Sequence, residues 1–289
     1  MAKLLRGAPV AAALKEKAKE KAGHLRENGI IPTLAIVRVG ERPDDAYYEQ
    51  AASKTCEAVG ICVKRLALPE NVTQGELLSV IEGLSDDAEI HGILLMRPLP
   101  KKLCEREICA AVAPEKDVDG VTRESLASVF TGEGTGFPPC TARGCMELLR
   151  YYGIEVSGKR AAVLGRSLVI GRPVAAMLLS ENATVTVCHS GTVNMPEITR
   201  NADIVVSALG RAEMLGGEYF SAGQTVLDVG MSRSEKKEKF CGDADFDAVC
   251  GLVGAITPVP GGVGAVTTAV LALHTAEAAE NITKIQKAK

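Results

Sequence analysis

Apolar and polar positions alternate along the first half of the chain in a way that switches between two kinds of element. Residues 9–28 mix alanine and leucine with lysine and glutamate and predict a lysine-rich helix. TLAIVRVG (33–40) is an apolar run closed by Gly40 and predicts a strand, and 44–59 predicts a helix stopped by Gly60. CVKRLALP predicts a strand, TQGELLSVIEGLSDD a helix, and IHGILLMRPLP a buried strand that ends in a proline turn. This βαβαβ order implies a parallel sheet covered by helices. Short helices are expected near 101–113 and 122–130.

The pattern then breaks at GEGTGFPPCTARG (132–144), where glycine and proline mark a hinge and Thr141 is placed to cap a helix over ARGCMELLRYYG. RAAVLG, TVTVCHS, DIVVSAL and TVLDVG predict four strands separated by helices, a second parallel sheet. After AITPVPGGVG, the run AVTTAVLALHTAEAAENITKI predicts a long closing helix that packs back on the first domain. The fold class is therefore α/β with two domains. One is an N-terminal parallel α/β substrate domain over 1–138, completed by a C-terminal helix from about 266 to 289. The other is a Rossmann-like NAD(P)-binding domain over 139–265.

Composition narrows the classes. The 289 residues suit two ordinary domains, and with 3% aromatics and no Trp the core must come from aliphatic residues. A net charge of −3 gives no electrostatic ground for nucleic acid or an anionic membrane as partner. The 9 cysteines include no C-x-x-C pair. They predict reduced thiols in a cytoplasmic protein, with neither a disulfide framework nor a zinc site. The N-terminal apolar stretch is too short and interrupted for a signal peptide or membrane span.

The nucleotide signal lies in AAVLGRSLVIGRPVAAMLL (161–179): a strand ending at Gly165, a loop, and a helix starting near Pro173. The spacing Gly165-x-Ser167-x-x-x-Gly171 is longer than the usual G-x-G-x-x-G, yet it still turns backbone N–H groups and a helix N-terminus toward an anion. Strand, glycine turn and helix also occur in plain α/β structure. The end of the next strand, VCHSGT, carries no acid to hold ribose hydroxyls. Ser190 and Arg166 instead suit a 2′-phosphate, which favours NADP over NAD. His189 either assists or is a strand-end histidine satisfied by hydrogen bonds.

With RPLP (97–100), PEKDVDG (114–120) and ITPVPGGVG (256–264) added in this order, the whole chain resembles the methylenetetrahydrofolate dehydrogenase/cyclohydrolase family. The resemblance implies oxidation of 5,10-methylene-tetrahydrofolate to the methenyl form with hydride passing to NAD(P)+, and in many members hydrolysis of that product to 10-formyl-tetrahydrofolate. It implies no metal, and a homodimer formed through the nucleotide domain. It assigns Asp119 to the amino-pyrimidine edge of the pterin, although Asp before Gly also commonly makes a turn. It assigns Pro98, Leu99 and Pro100 to the folate pocket, and Pro260, Gly261 and Gly262 to close approach on a flat ring. Met231, after Asp228 and Gly230, would line the cofactor through its backbone.

The family places its hydrolytic lysine in a Tyr-x-x-x-Lys pattern, supported by a glutamine before the PLP turn. Read without gaps between Gly40 and Gly60, Tyr48 takes the tyrosine position, Ala52 the lysine position and Met96 the glutamine position. Lys54 falls about 240° around a helix from Tyr48, against about 40° for position 52. It would reach the substrate if the helix were distorted or if Tyr47 replaced Tyr48. The dehydrogenase step is thus expected to be intact, and the cyclohydrolase step is either changed or carried by Lys54 or another group.

Overall fold

The computed structural model describes residues 1–233 and 239–287. By contact density the chain forms two units: a central unit of 1–11 and 141–267, and an N-terminal unit of 12–140 with the last helix. In chain order the elements open with β1 (Lys3–Leu4), α1 (Gly7–Glu27), β2 (Thr33–Val39), α2 (Pro43–Ala58), β3 (Cys62–Leu68), α3 (Gln74–Asp86), β4 (Gly92–Leu95), α4 (Glu105–Ala110) and α5 (Arg123–Thr131).

In the N-terminal unit β2 lies at the centre of a three-stranded parallel sheet ordered β3-β2-β4. The register pairs Leu34 with Val63 and with Gly92. All four residues of β4 are buried, which is why its sequence is continuously apolar. Ala35, Val37, Val39, Ile93 and Leu95 of the strands pack with Leu77, Ile81 and Leu84 of α3 and Ile108 of α4. Each large side chain buried this way contributes about 1.5–3 kcal/mol. Helix α3 starts at a capping box, with Thr73 Oγ1 accepting from Glu76 N while Glu76 accepts from Thr73 N. It ends under Lys116, whose buried ammonium donates to the carbonyls of Leu84, Ser85 and Asp87 at 3.2, 2.6 and 2.7 Å.

The elements continue with α6 (Cys140–Tyr151), β5 (Arg160–Leu164), α7 (Gly171–Ser180), β6 (Thr184–Cys188), α8 (Met195–Arg200), β7 (Ile204–Ser207), β8 (Thr225–Asp228), β9 (Ser232–Arg233), β10 (Phe240–Cys241), α9 (Phe246–Val249), β11 (Ala255–Ile256) and α10 (Thr267–Lys287). The central unit holds a six-stranded parallel sheet ordered β1-β11-β8-β7-β5-β6. Its core sets Ala162, Leu164, Val205, Val226 and Ile256 against Leu215, Phe220 and Val249. Helix α10 belongs with the N-terminal unit, where Lys21 Nζ meets Glu280 Oε2 at 2.6 Å.

Several elements depart from the sequence expectation. Thr141 lies inside the first turn of α6, since the helix already begins at Cys140, directly after Pro139. Between β7 and β8 there is only a single 3-10 turn, Gly217–Tyr219, because the interval is broken by Gly210, Gly216 and Gly217. The strand expected over 90–100 is hydrogen-bonded as a strand only over Gly92–Leu95. Residues 3–4, read as leading into the first domain, instead pair with β11 in the central sheet. Two-residue strands carry no periodicity from which to predict them.

Candidate active site

Ligands of parallel sheets bind beyond the carboxyl ends of the strands. In the N-terminal unit that edge is formed by the start of α2 after β2, the turn Arg97–Pro100 after β4, and the segment Pro114–Gly120. Helix α2 begins with Pro43 in its first turn and is held to β2 by the Arg38–Glu49 pair, Nε to Oε2 at 2.8 Å, with both side chains largely covered. Its inward face carries Asp45, Ala52, Ser53 and Cys56. Ala52 is fully buried, Tyr48 half-buried, and Tyr47 and Lys54 exposed. Met96 is buried, and its backbone N–H continues the sheet by donating to Val37 O at 2.9 Å.

The proline turn is fixed from two sides. Arg42 Nη1 donates to Pro98 O at 2.8 Å, and its Nη2 lies 3.6 Å from Asp45. From the other side, Glu105 Oε2 accepts from Leu99 N at 3.0 Å, and Glu105 Oε1 lies 3.6 Å from Arg97 Nη1. The Arg97–Pro98 peptide bond is cis. Leu99 is buried, Pro98 exposed and Pro100 half-buried. The Nε of Arg97 is buried and has no hydrogen-bond partner among the described residues. Such a donor costs about 1–3 kcal/mol unless something accepts from it.

Within PEKDVDG the residues divide by task. Lys116 caps α3, and the fully buried Asp117 accepts from Val121 N and Thr122 N at 3.0 and 2.8 Å, building the turn into α5. Gly120 has φ +67°, and a Cβ there would sit 2.5 Å from Pro139 N, so no other residue fits. Glu115 is exposed, and the half-buried Asp119, which meets the Cys140 thiol, holds no backbone N–H among the described residues. Burial raises its pKa against the opposing pull of the Arg97 guanidinium, to about 6. Behind it, Cys140 Sγ lies 3.3 Å from Val118 O, and His274 Nδ1 lies 2.9 Å from the same carbonyl. The Phe137 ring stacks obliquely on His274 with centroids 4.8 Å apart. Sequence reading did not single out Cys140, His274 or Glu105. Cys140 and His274 come from distant segments with no motif of their own, and Glu105 from the start of α4 just beyond the proline turn.

In the central unit the loop between β5 and α7 is shaped by its glycines. Gly165 has φ +121°, and a Cβ on it would lie 2.5 Å from Ala208 O; a Cβ on Gly171 would lie 2.2 Å from Gly165 O. Ser167 Oγ accepts from Ile170 N at 3.1 Å, Arg166 and Ser167 are exposed, and α7 has no acidic residue in its first turn. This cradle and helix N-terminus fit a pyrophosphate. At the end of β6, Thr192 Oγ1 accepts from His189 N at 2.8 Å and His189 Nδ1 accepts from Gly191 N at 3.1 Å, so the imidazole shapes a turn that leaves Ser190 exposed.

Pro260 and Gly261 are exposed and Gly262 is buried, where a Cβ would lie 2.6 Å from Pro258 O. Gly261 O accepts from Gly7 N at 2.8 Å. Asp228 at the end of β8 accepts from the N–H groups of Gly230, Asp243 and Ala244. Burial nevertheless pushes its pKa up to about 7. Its place is structural, tying the 241–244 segment to the sheet, while Met231 just beyond is exposed.

The fold and these two edges define a two-unit α/β protein with a dinucleotide-type loop in one unit and an acid-bearing proline-turn site in the other. Comparison with known proteins places it further. Residues 5–119 match the model of the tetrahydrofolate dehydrogenase/cyclohydrolase catalytic domain, and residues 139–283 match that of the NAD(P)-binding domain of the same family. The bifunctional protein FolD of Carboxydothermus hydrogenoformans is 51% identical over 97% of this chain and 98% of its own length. The bifunctional FolD crystal structure from Campylobacter jejuni superposes with a TM-score of 0.94 at 40% identity, covering 97% of this chain and 99% of that one. The Trypanosoma brucei enzyme, solved with NADP and an inhibitor, gives 0.91 at 34% identity, over 98% and 99% of the two chains. The chain belongs to the tetrahydrofolate dehydrogenase/cyclohydrolase family.

Proposed function

We propose that this protein oxidises 5,10-methylene-tetrahydrofolate to the 5,10-methenyl form with NADP+, and that its hydrolysis of the methenyl product is weak. Family membership over the whole chain carries the first statement, and Asp119, which unlike Asp117 holds no backbone N–H among the described residues, supports it. The buried Ala52 and Met96 carry the second.

The oxidation needs no general base, because the folate nitrogens supply the electron push and the protein's work is to hold the reactant in place. Asp119 accepts from the amino-pyrimidine edge in two charge-assisted hydrogen bonds that fix its orientation. Tyr48, Pro98, Leu99 and Pro100 shape the pterin pocket, and Pro260, Gly261 and Gly262 let backbone approach the rings. NADP supplies the hydride acceptor. Gly165, Ser167 and Gly171 would hold its pyrophosphate, Arg166 and Ser190 its 2′-phosphate, and Met231 its edge through the main chain.

Hydrolysis is different: water must add to the methenyl carbon and a proton must be moved. A methyl group at 52 and a thioether at 96 offer no such group, and Lys54 points to solvent. The second reading, a bifunctional enzyme, draws support from the names of the relatives. Assay of methylene-tetrahydrofolate with NADP+ and NAD+ separately, followed by decay of methenyl-tetrahydrofolate with and without protein, tests both parts. No reduction of either cofactor overturns the first, and enzyme-accelerated decay overturns the second. The family resemblance further supports a homodimer in the cytoplasm, which sedimentation would check.

A further inference from the structure

We infer that Arg97 is a specificity-determining residue of this site: its guanidinium donates to the ring carbonyl next to the ring N–H that Asp119 binds together with the amino group. The inference rests on the folate reading given above.

A 2-amino-4-oxo-pyrimidine edge presents two donors, the amino group and the ring N–H, followed by one acceptor, the carbonyl oxygen. A carboxylate matches the two donors and has nothing to give the acceptor. Arg97 supplies the missing donor. It follows Met96 at the carboxyl end of β4, the same strand-end edge to which the segment Pro114–Gly120 brings Asp119, and its positive charge acts on that carboxylate. Its position is set but its donors are not used up. Glu105 stands 3.6 Å from Nη1, beyond a good hydrogen bond, while Glu105 itself is anchored on Leu99 N. The buried Nε has no partner among the described residues, and the side chain keeps 23% of its surface exposed.

The neighbouring cation, Arg42, is already committed to Pro98 O and Asp45. Neither Ala52 nor the buried Met96 carries an N–H or O–H. A guanidinium always stays charged and has five donors in a fixed plane, so it can face Glu105 and a ligand carbonyl together.

Equilibrium binding of folic acid and of its 4-amino counterpart, in which the acceptor oxygen becomes a donor and the neighbouring ring N–H becomes an acceptor, reads this contact through the change in preference between the intact chain and its Arg97 variants. The intact chain should bind the oxo compound at least about tenfold more tightly, as expected when a donor meets a donor in a buried site. In Arg97→Leu the oxo compound should weaken about tenfold and the preference should shrink about tenfold, the remainder belonging to Asp119 and the ring nitrogen, with NADP+ affinity unchanged. Arg97→Gln, which keeps a neutral N–H, should hold an intermediate preference and serves if the leucine variant folds poorly. For turnover, KM for the folate should rise much more than kcat falls. An unaltered preference in both variants overturns the inference, as does equal weakening of the two compounds, which would mark Arg97 as a prop for the proline turn. Failure of the intact chain to bind either compound overturns the folate reading itself.

Discussion

The loop Gly165–Gly171 in the central unit and the turn Arg97–Pro100 in the N-terminal unit both lie at the carboxyl end of a parallel sheet, yet they are built from different material. The first is backbone: glycines too crowded to carry a Cβ and amides at the start of α7. The second is side chain: Arg97, Glu105, Arg42 and Asp119, with a methyl and a thioether where the resemblance leads one to expect a lysine and a glutamine. A backbone site tolerates almost no change at its glycines and little depends on the rest. A side-chain site can lose one chemistry and keep another, because each role rests on a separate residue. That asymmetry makes hydride transfer and hydrolysis separable here.

The largest effect should come from rebuilding the altered pair. Ala52→Lys with Met96→Gln should raise methenyl-tetrahydrofolate hydrolysis by roughly a hundredfold or more, the usual contribution of a placed proton-handling group. A null result would say that 52 and 96 do not face the substrate. Close behind, Gly171→Val forces a side chain against the Gly165 carbonyl. It should weaken NADP+ binding by about a hundredfold, with folate binding nearly intact. Asp119→Asn removes a charged acceptor and should raise KM for the folate by roughly ten- to a hundredfold while NADP+ affinity holds.

A smaller effect follows from acidity. Because burial lifts Asp119 to about 6, its acceptor is lost as pH falls through that value, so the folate KM should climb below pH 6. Removing Arg97 takes away the charge that opposes burial, so in Arg97→Leu the climb should begin at a higher pH. A pH–KM profile of the two proteins decides it. The smallest effect lies away from both sites. Lys21 and Lys284 hydrogen-bond Glu280 and depress its pKa to about 2. A depressed carboxylate stabilises the fold above its unfolded value, and that contribution fades as pH falls from about 4.5 toward 2. Glu280→Gln should therefore cost less than about 1 kcal/mol at neutral pH, the pair being about one-third exposed. The difference should vanish at low pH in thermal melts.

The same contrast governs what could be read in advance. Both parallel sheets follow from the alternation of apolar runs with helical stretches, and the glycine loop follows from its place between β5 and α7. The register of Ala52 and Lys54 on α2 needs only the pitch of a helix, and the burial of one and exposure of the other agree with it. Contacts between segments far apart in sequence were hidden. Arg42 reaching Pro98 O and His274 meeting Val118 O depend on tertiary folding. So does the division of labour in PEKDVDG. Lys116 could be known as a helix cap only once α3 was seen to end beneath it. β1 and β11 went unpredicted because two residues make no pattern.

The measurement that tests the account most directly follows NADPH and methenyl-tetrahydrofolate together while the intact protein oxidises methylene-tetrahydrofolate. If the side-chain site has kept hydride transfer and lost hydrolysis, the two products accumulate one for one, and the methenyl compound then decays only at its rate in buffer. NADPH accumulating while the methenyl product is drained to the formyl compound would contradict it.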